Sequence, residues 1–173
     1  MKKILLLTLS LVFTITLSAQ ENVIDKYFSA YQKDKNFTKI SITSAMFDFF
    51  NELDAEDPEE KEILEALSKI EGIKGLIKEN ADNSMSLYNE ALKKVSGGAY
   101  VELMTVEDPE ENLKFMIREE GEKIAELLLL NGSKNRFLIM TLYGEIDLNK
   151  MYKIAKAMDL KGLDGFQMLR DKE

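Results

Sequence analysis

Acidic side chains crowd one stretch of the chain, "NELDAEDPEEKE", which holds Glu52, Asp54, Glu56, Asp57, Glu59 and Glu60. Hard divalent cations take oxygen ligands, so residues 52–62 form a candidate calcium segment. The D-x-[DN]-x-[DN]-G loop that would arrange such ligands is absent. Helix capping accounts for Asp57 through Glu60 equally well, because a carboxylate before a helix accepts hydrogen bonds from its free amides. The second chemistry open to carboxylates is glycoside hydrolysis by an acid–base pair. With 31 acidic residues and no tryptophan to stack on a sugar, no pair stands out. Most other chemistries are excluded by composition. The chain has no histidine, which removes Ser-His-Asp and Cys-His systems, His-ligated zinc and the usual proton shuttle near neutral pH. It has no cysteine, which removes thiol catalysis, iron–sulfur ligation and thiolate zinc. Ser-x-x-Lys, G-x-G-x-x-G and Walker A motifs are also missing. No residue is therefore assigned a catalytic, cofactor-binding or metal-ligating role, and no cofactor is expected.

The first residues, "MKKILLLTLSLVFTITLSAQEN", join a basic start at Lys2 and Lys3 to an uncharged run from Ile4 to Leu17 and small residues at Ser18 and Ala19. That is the layout of a secretory signal peptide. The run falls short of the roughly 20 residues a membrane-crossing helix needs. Cleavage is expected after Ala19, with no stable membrane span afterwards and release to the periplasm or the exterior. Residues 20–173 are expected to form a single domain. The net charge is −8 overall and −10 once Lys2 and Lys3 leave with the leader. Such a chain repels phosphate backbones, so nucleic acid is not an expected partner.

The elements that would position any site follow from periodicity. Val23, Ile24, Tyr27, Phe28 and Tyr31 share one helical face, which is core by default or, if loosely docked, a partner surface. "FTKISIT" alternates like a short strand, and "SAMFDFFNEL" reads as a helix begun by Ser44. The pentapeptide EDPEE occurs at Glu56–Glu60 and again at Glu107–Glu111. The first copy reads as a helix start, with Asp57 as cap and Pro58 in the first helical position. Ile63, Leu64, Leu67 and Ile70 then continue at helical spacing. "GIKGLIKEN" reads as a strand. "SMSLYNEALKKVS" reads as a helix capped by Ser84 and stopped at Gly97 and Gly98. The second EDPEE lies between strand patterns, so Pro109 is expected in the second position of a turn. A turn around Gly121, an Asn131–Gly132 hairpin loop and a bulge or strand end at Gly144 follow. The apolar runs Leu127–Leu130 and Phe137–Met140 lack alternation and suggest central strands covered on both faces, or one end of a larger core. Asp147 is expected to cap a last helix with Leu148, Met151, Ala155 and Met158 on one face. Met85, Met104, Met116, Met140, Met151 and Met158 are expected as core filling. The fold class expected is α+β: a mostly antiparallel sheet with a C-terminal meander, helices packed on one face.

The segments "YFSAYQKDKNFTKISIT", "AMFDFF", "IEGIKGL", "YVELMTV", "REEGEKIAELLLL" and "FLIMTLYGEIDLNKM", behind a leader, give a further pointer. In these the chain resembles the domain of unknown function 4252 family of exported Bacteroidota proteins, over nearly all of residues 20–173. The resemblance implies a small α+β protein of the cell envelope and transfers no catalytic residue. The function expected is a non-enzymatic interaction or regulatory module of the envelope, its partner an envelope protein or a small ligand. The alternatives are a carrier of a small apolar ligand and, behind it, a carboxylate-based hydrolase.

Overall fold

A computed structural model describes residues 23–157, apart from Gln32 and Gly98. Six antiparallel strands form one open sheet: β1 (Thr38–Thr43), β2 (Ile70–Lys78), β3 (Tyr100–Glu107), β4 (Glu111–Glu120), β5 (Lys123–Ser133) and β6 (Phe137–Ile146). Their order is β1-β2-β6-β5-β4-β3, so β3 to β6 are a meander and β2 closes against its last strand. The helices are α1 (Val23–Tyr31), α2 (Ser44–Asp48), α3 (Pro58–Ser68), α4 (Ser84–Val95) and α5 (Leu148–Ala157). A 3₁₀ turn, Phe49–Glu52, prolongs α2. The class is α+β, with the antiparallel meander expected from the strand spacing. No described helix is long and apolar enough to cross a membrane.

The helices are not confined to one face. Successive residues of a strand point to opposite sides, and β5 splits its leucines accordingly. Leu128 and Leu130 join Leu76 and Ile139 under Ile24 of α1 and Leu87, Tyr88, Ala91 and Val95 of α4. Leu127 joins Ile73, Leu142 and Ile146 on the opposite face, under Phe47 of α2 and Leu148 and Met151 of α5. The Lys153–Glu62 ion pair holds α5 to α3 on that second face. Of the two readings of the unalternating apolar runs, the two-sided cover of β5 and β6 is the one found, and it places helices on both sides where one was expected.

Local chemistry explains the joints. Asp57 Oδ1 accepts the amides of Glu59 and Glu60 at 2.7 and 3.4 Å, with Pro58 starting α3. Asp108 Oδ1 captures the amides of Glu110 and Glu111 at 2.8 Å each, and here Pro109 turns a hairpin between β3 and β4. Asp147 caps α5 through the amides of Asn149 and Lys150.

Several local expectations are corrected. Ile70 opens β2 and does not prolong α3. Ser84 is the first residue of α4, after the cap position Asn83, and its hydroxyl donates to the Ser133 carbonyl at 2.6 Å. Asn131 and Gly132 lie inside β5, and the turn falls at residues 134–136. A Cβ on Gly132 would sit 2.7 Å from Tyr88 Cβ, so this glycine serves the close approach of α4 rather than a turn. Gly144, with φ of 136°, marks the register irregularity opposite Ile70, as a bulge glycine should. Met116 is buried, Met104, Met140 and Met151 are half-buried, and Met85 is exposed. The side chains of Tyr27, Phe28, Ala155 and Met158 lie outside the described residues.

Candidate functional site

Among the described residues, two surface features with the form of a site stand out. The first is a polar cleft of about 370 Å³ at the end of the α1-covered face, bordered by Asp25, Lys74, Arg118, Glu120, Lys123 and Glu145. Its floor continues a buried network. Glu126 alternates with Leu128 and so points into the core face, where it is fully buried. Thr141 Oγ1 donates to Glu126 Oε1 at 2.6 Å, and Arg118 Nε donates to Glu126 Oε2 at 3.1 Å. Strand register makes this possible, since Arg118 faces Glu126 across β4 and β5. Arg118 also pairs with Glu120 nearer the surface. Tyr100 is part-buried; burial first, then the negative charge of Glu126, pushes its pKa up. A carboxylate out of water costs several kcal/mol unless its oxygens are satisfied, and Arg118 and Thr141 supply that satisfaction here.

The walls of the cleft are ion pairs. Lys74 of β2 binds Asp25 of α1 and lies 5.5 Å from the centre of the Tyr143 ring. Glu145 bridges Lys123 and Lys69, whose hydrogen bonds, that of Lys123 foremost, hold its pKa down to about 2. Glu62 is likewise lowered by Lys153, and Glu102 by Lys114. A general acid for glycoside hydrolysis needs the opposite displacement, a carboxyl that keeps its proton near neutral pH. The cleft can offer fixed charges to a polar ligand, and its Glu145 is held ionised rather than poised to donate a proton.

The second feature is an apolar ridge. Phe47 packs inward at 5% exposure, and Phe50 sits 6.3 Å from it, ring centre to ring centre. Between and beyond them, Met46, Phe49 and Leu53 point outward at 51%, 67% and 55% exposure. Met46 and Phe49, three positions apart, share one side of α2 and its 3₁₀ extension, and Leu53 follows at the extended residue that ends it. A groove of about 250 Å³ runs beside the ridge, bordered by Phe50, Leu53, Lys61 and Leu64. "AMFDFFNEL" was legible as a helix, but only one of its apolar sides finds the core, and a helix this short cannot turn the other inward.

The acidic stretch beside the ridge does not converge. Glu52, Asp54, Glu56, Glu59 and Glu60 are exposed, and Asp57 is occupied as the cap of α3. Among the described residues no group of three or more acidic side chains is placed to hold a metal ion. Sequence reasoning singled out neither the ridge nor the Glu126 network. A signal for the second was present in "REEGEKIAELLLL", where a glutamate interrupts a strand otherwise apolar enough to be central.

Comparison with known protein families gives a match. The family described as Domain of unknown function (DUF4252) matches residues 31–154, from the last residue of α1 into α5. No curated protein and no solved structure matches the chain.

Proposed function

The chain belongs to the DUF4252 family, and from that premise we propose that it is a non-enzymatic interaction module of the cell envelope, meeting a protein partner through the ridge of Met46, Phe49 and Leu53. Solvent exposure of Phe49 at 67% carries the reading. A large aromatic left outside, flanked by two further exposed apolar side chains and a groove, is the composition of a contact surface with a central anchor. The leader sequence supports export, and the missing histidine and cysteine support a role without covalent chemistry. The downward displacement of Glu145 weighs against its serving as the acid of a hydrolase in the polar cleft. An apolar-ligand carrier calls for an enclosed apolar chamber, and the two clefts described here, both open to solvent, lend it no support. A photo-reactive side chain placed at Phe49 tests the proposal in the producing cell. One discrete crosslinked adduct, abolished by Leu53→Asp with unchanged melting temperature, is expected. The absence of any adduct at Phe49 and at Met46 would overturn it.

A further inference from the structure

The outer strand β3 carries a pattern that the ridge does not explain. Val101 and Val106 are 54% and 45% exposed. They are five positions apart, an odd number, which in a regular strand would place them on opposite faces. The bulge between Glu102 and Met104 adds one residue and removes that difference. Val101 lies beside Ile117 and Val106 beside Leu113, both on the same face of β4. The two valines therefore flank the strand's midpoint symmetrically, on one side of the sheet.

Edges of sheets are normally guarded by lysine and other charges, by proline, by bulges or by short length. β3 runs for eight residues, "YVELMTVE", with neither lysine nor proline. Its bulge interrupts pairing only at the centre and leaves an arm on each side. On the opposite face, Lys114 binds Glu102 Oε2 at 2.7 Å and Thr105 Oγ1 at 2.8 Å. The lysine neutralises the inner carboxylate of the edge and raises no charge on the valine face. The other outer strand, β1, differs: its exposed residues are Thr38, Ser41 and Thr43.

We propose that β3 is the homodimer edge, pairing antiparallel with β3 of a second copy about a two-fold axis through its bulge. In that register Val101 faces the partner copy's Val106 and Glu102 faces the partner copy's Thr105. Tyr100 faces the partner copy's Glu107. No carboxylate meets a carboxylate, and both exposed valines are covered twice over. A strand that is complementary to itself in face, charge and size is what an isologous contact requires. The inference is independent of the ridge.

Sedimentation velocity of the exported chain across a rising concentration series tests it. The wild type is expected to shift from monomer to dimer. Val101→Lys/Val106→Lys and Val101→Glu/Val106→Glu are each expected to remain monomeric with the wild-type circular dichroism spectrum. A mixture of the two is expected to recover the dimer, because lysines then face glutamates. A second test uses the absence of native cysteine. Val101→Cys/Val106→Cys should give a disulfide-linked dimer under mild oxidation, since the bulge leaves the two sites roughly 13 Å apart along one strand, too far to link within a chain. A wild type monomeric throughout, a lysine variant that dimerises like the wild type, or a mixture that stays monomeric would each overturn the proposal.

Discussion

Glu126 is the residue at which burial and charge conflict most directly. An apolar side chain would serve the core better at that position of β5, and the carboxylate is tolerated because Arg118 and Thr141 meet its two oxygens. Removing one partner of a buried ion pair strands the other, at about 3–5 kcal/mol. Arg118→Leu is therefore expected to lower unfolding free energy by about 3 kcal/mol or more in urea titration. Arg118→Leu/Glu126→Leu should recover most of that loss, since no charge is left buried. Glu145 makes the opposite case at the surface. Its pKa is about 2 against an ordinary 4.5, so its pairs stabilise the fold above the ordinary value and lose that effect as pH falls towards 2. Glu145→Gln should lower the melting temperature at pH 7, and the difference from wild type should shrink through this window and vanish near its lower end. Solvent screening keeps the effect small, because Glu145 is 40% exposed.

The two EDPEE copies show what an element owes to its surroundings. In both, an aspartate oxygen takes the amides two and three residues on. After Asp57 the chain finds Ile63, Leu64 and Leu67 at helical spacing and continues as α3. After Asp108 it finds "NLKFMIREE" and continues as β4. Asp57→Ala should cost about 1 kcal/mol through loss of the helix cap, read from chemical denaturation. The strand glycines carry information of another kind. Gly132 was legible as a hairpin signal beside Asn131, yet its job is to let Tyr88 of α4 lie against β5. Gly132→Ala is expected to destabilise by about 1–3 kcal/mol, because α4 would have to move outward. The correction is general in its physics: Asn-Gly marks a turn only where no neighbouring element needs the space above the glycine.

At the scale of the whole molecule, an exported module should be recovered from its natural host as a chain starting at Gln20. Intact-mass measurement of the purified protein checks this, and Met1 still in place would contradict it. Much of the architecture could be read beforehand. The helix α1, the cap of α3, the strand character of β2 to β6 and the meander all depend on neighbours within a few residues, where periodicity and capping act. The candidate sites could not be read in the same way. Arg118 and Glu126 are eight residues apart and meet only because the β4–β5 register pairs them. Phe47 and Phe49 look alike in sequence, and only the docking of α2 on Ile73 and Leu142 decides which one is buried. Helices on both faces follow from the same docking, and the bulge in β3 is what sets Val101 and Val106 on one face. By itself, then, the sequence determined composition-limited chemistry, element identity and the balance of helix and strand, because these are local properties. Which side chains share a face, which charge is buried and which aromatic stays outside were decided by the tertiary structure, because they depend on contacts between segments that no local pattern encodes.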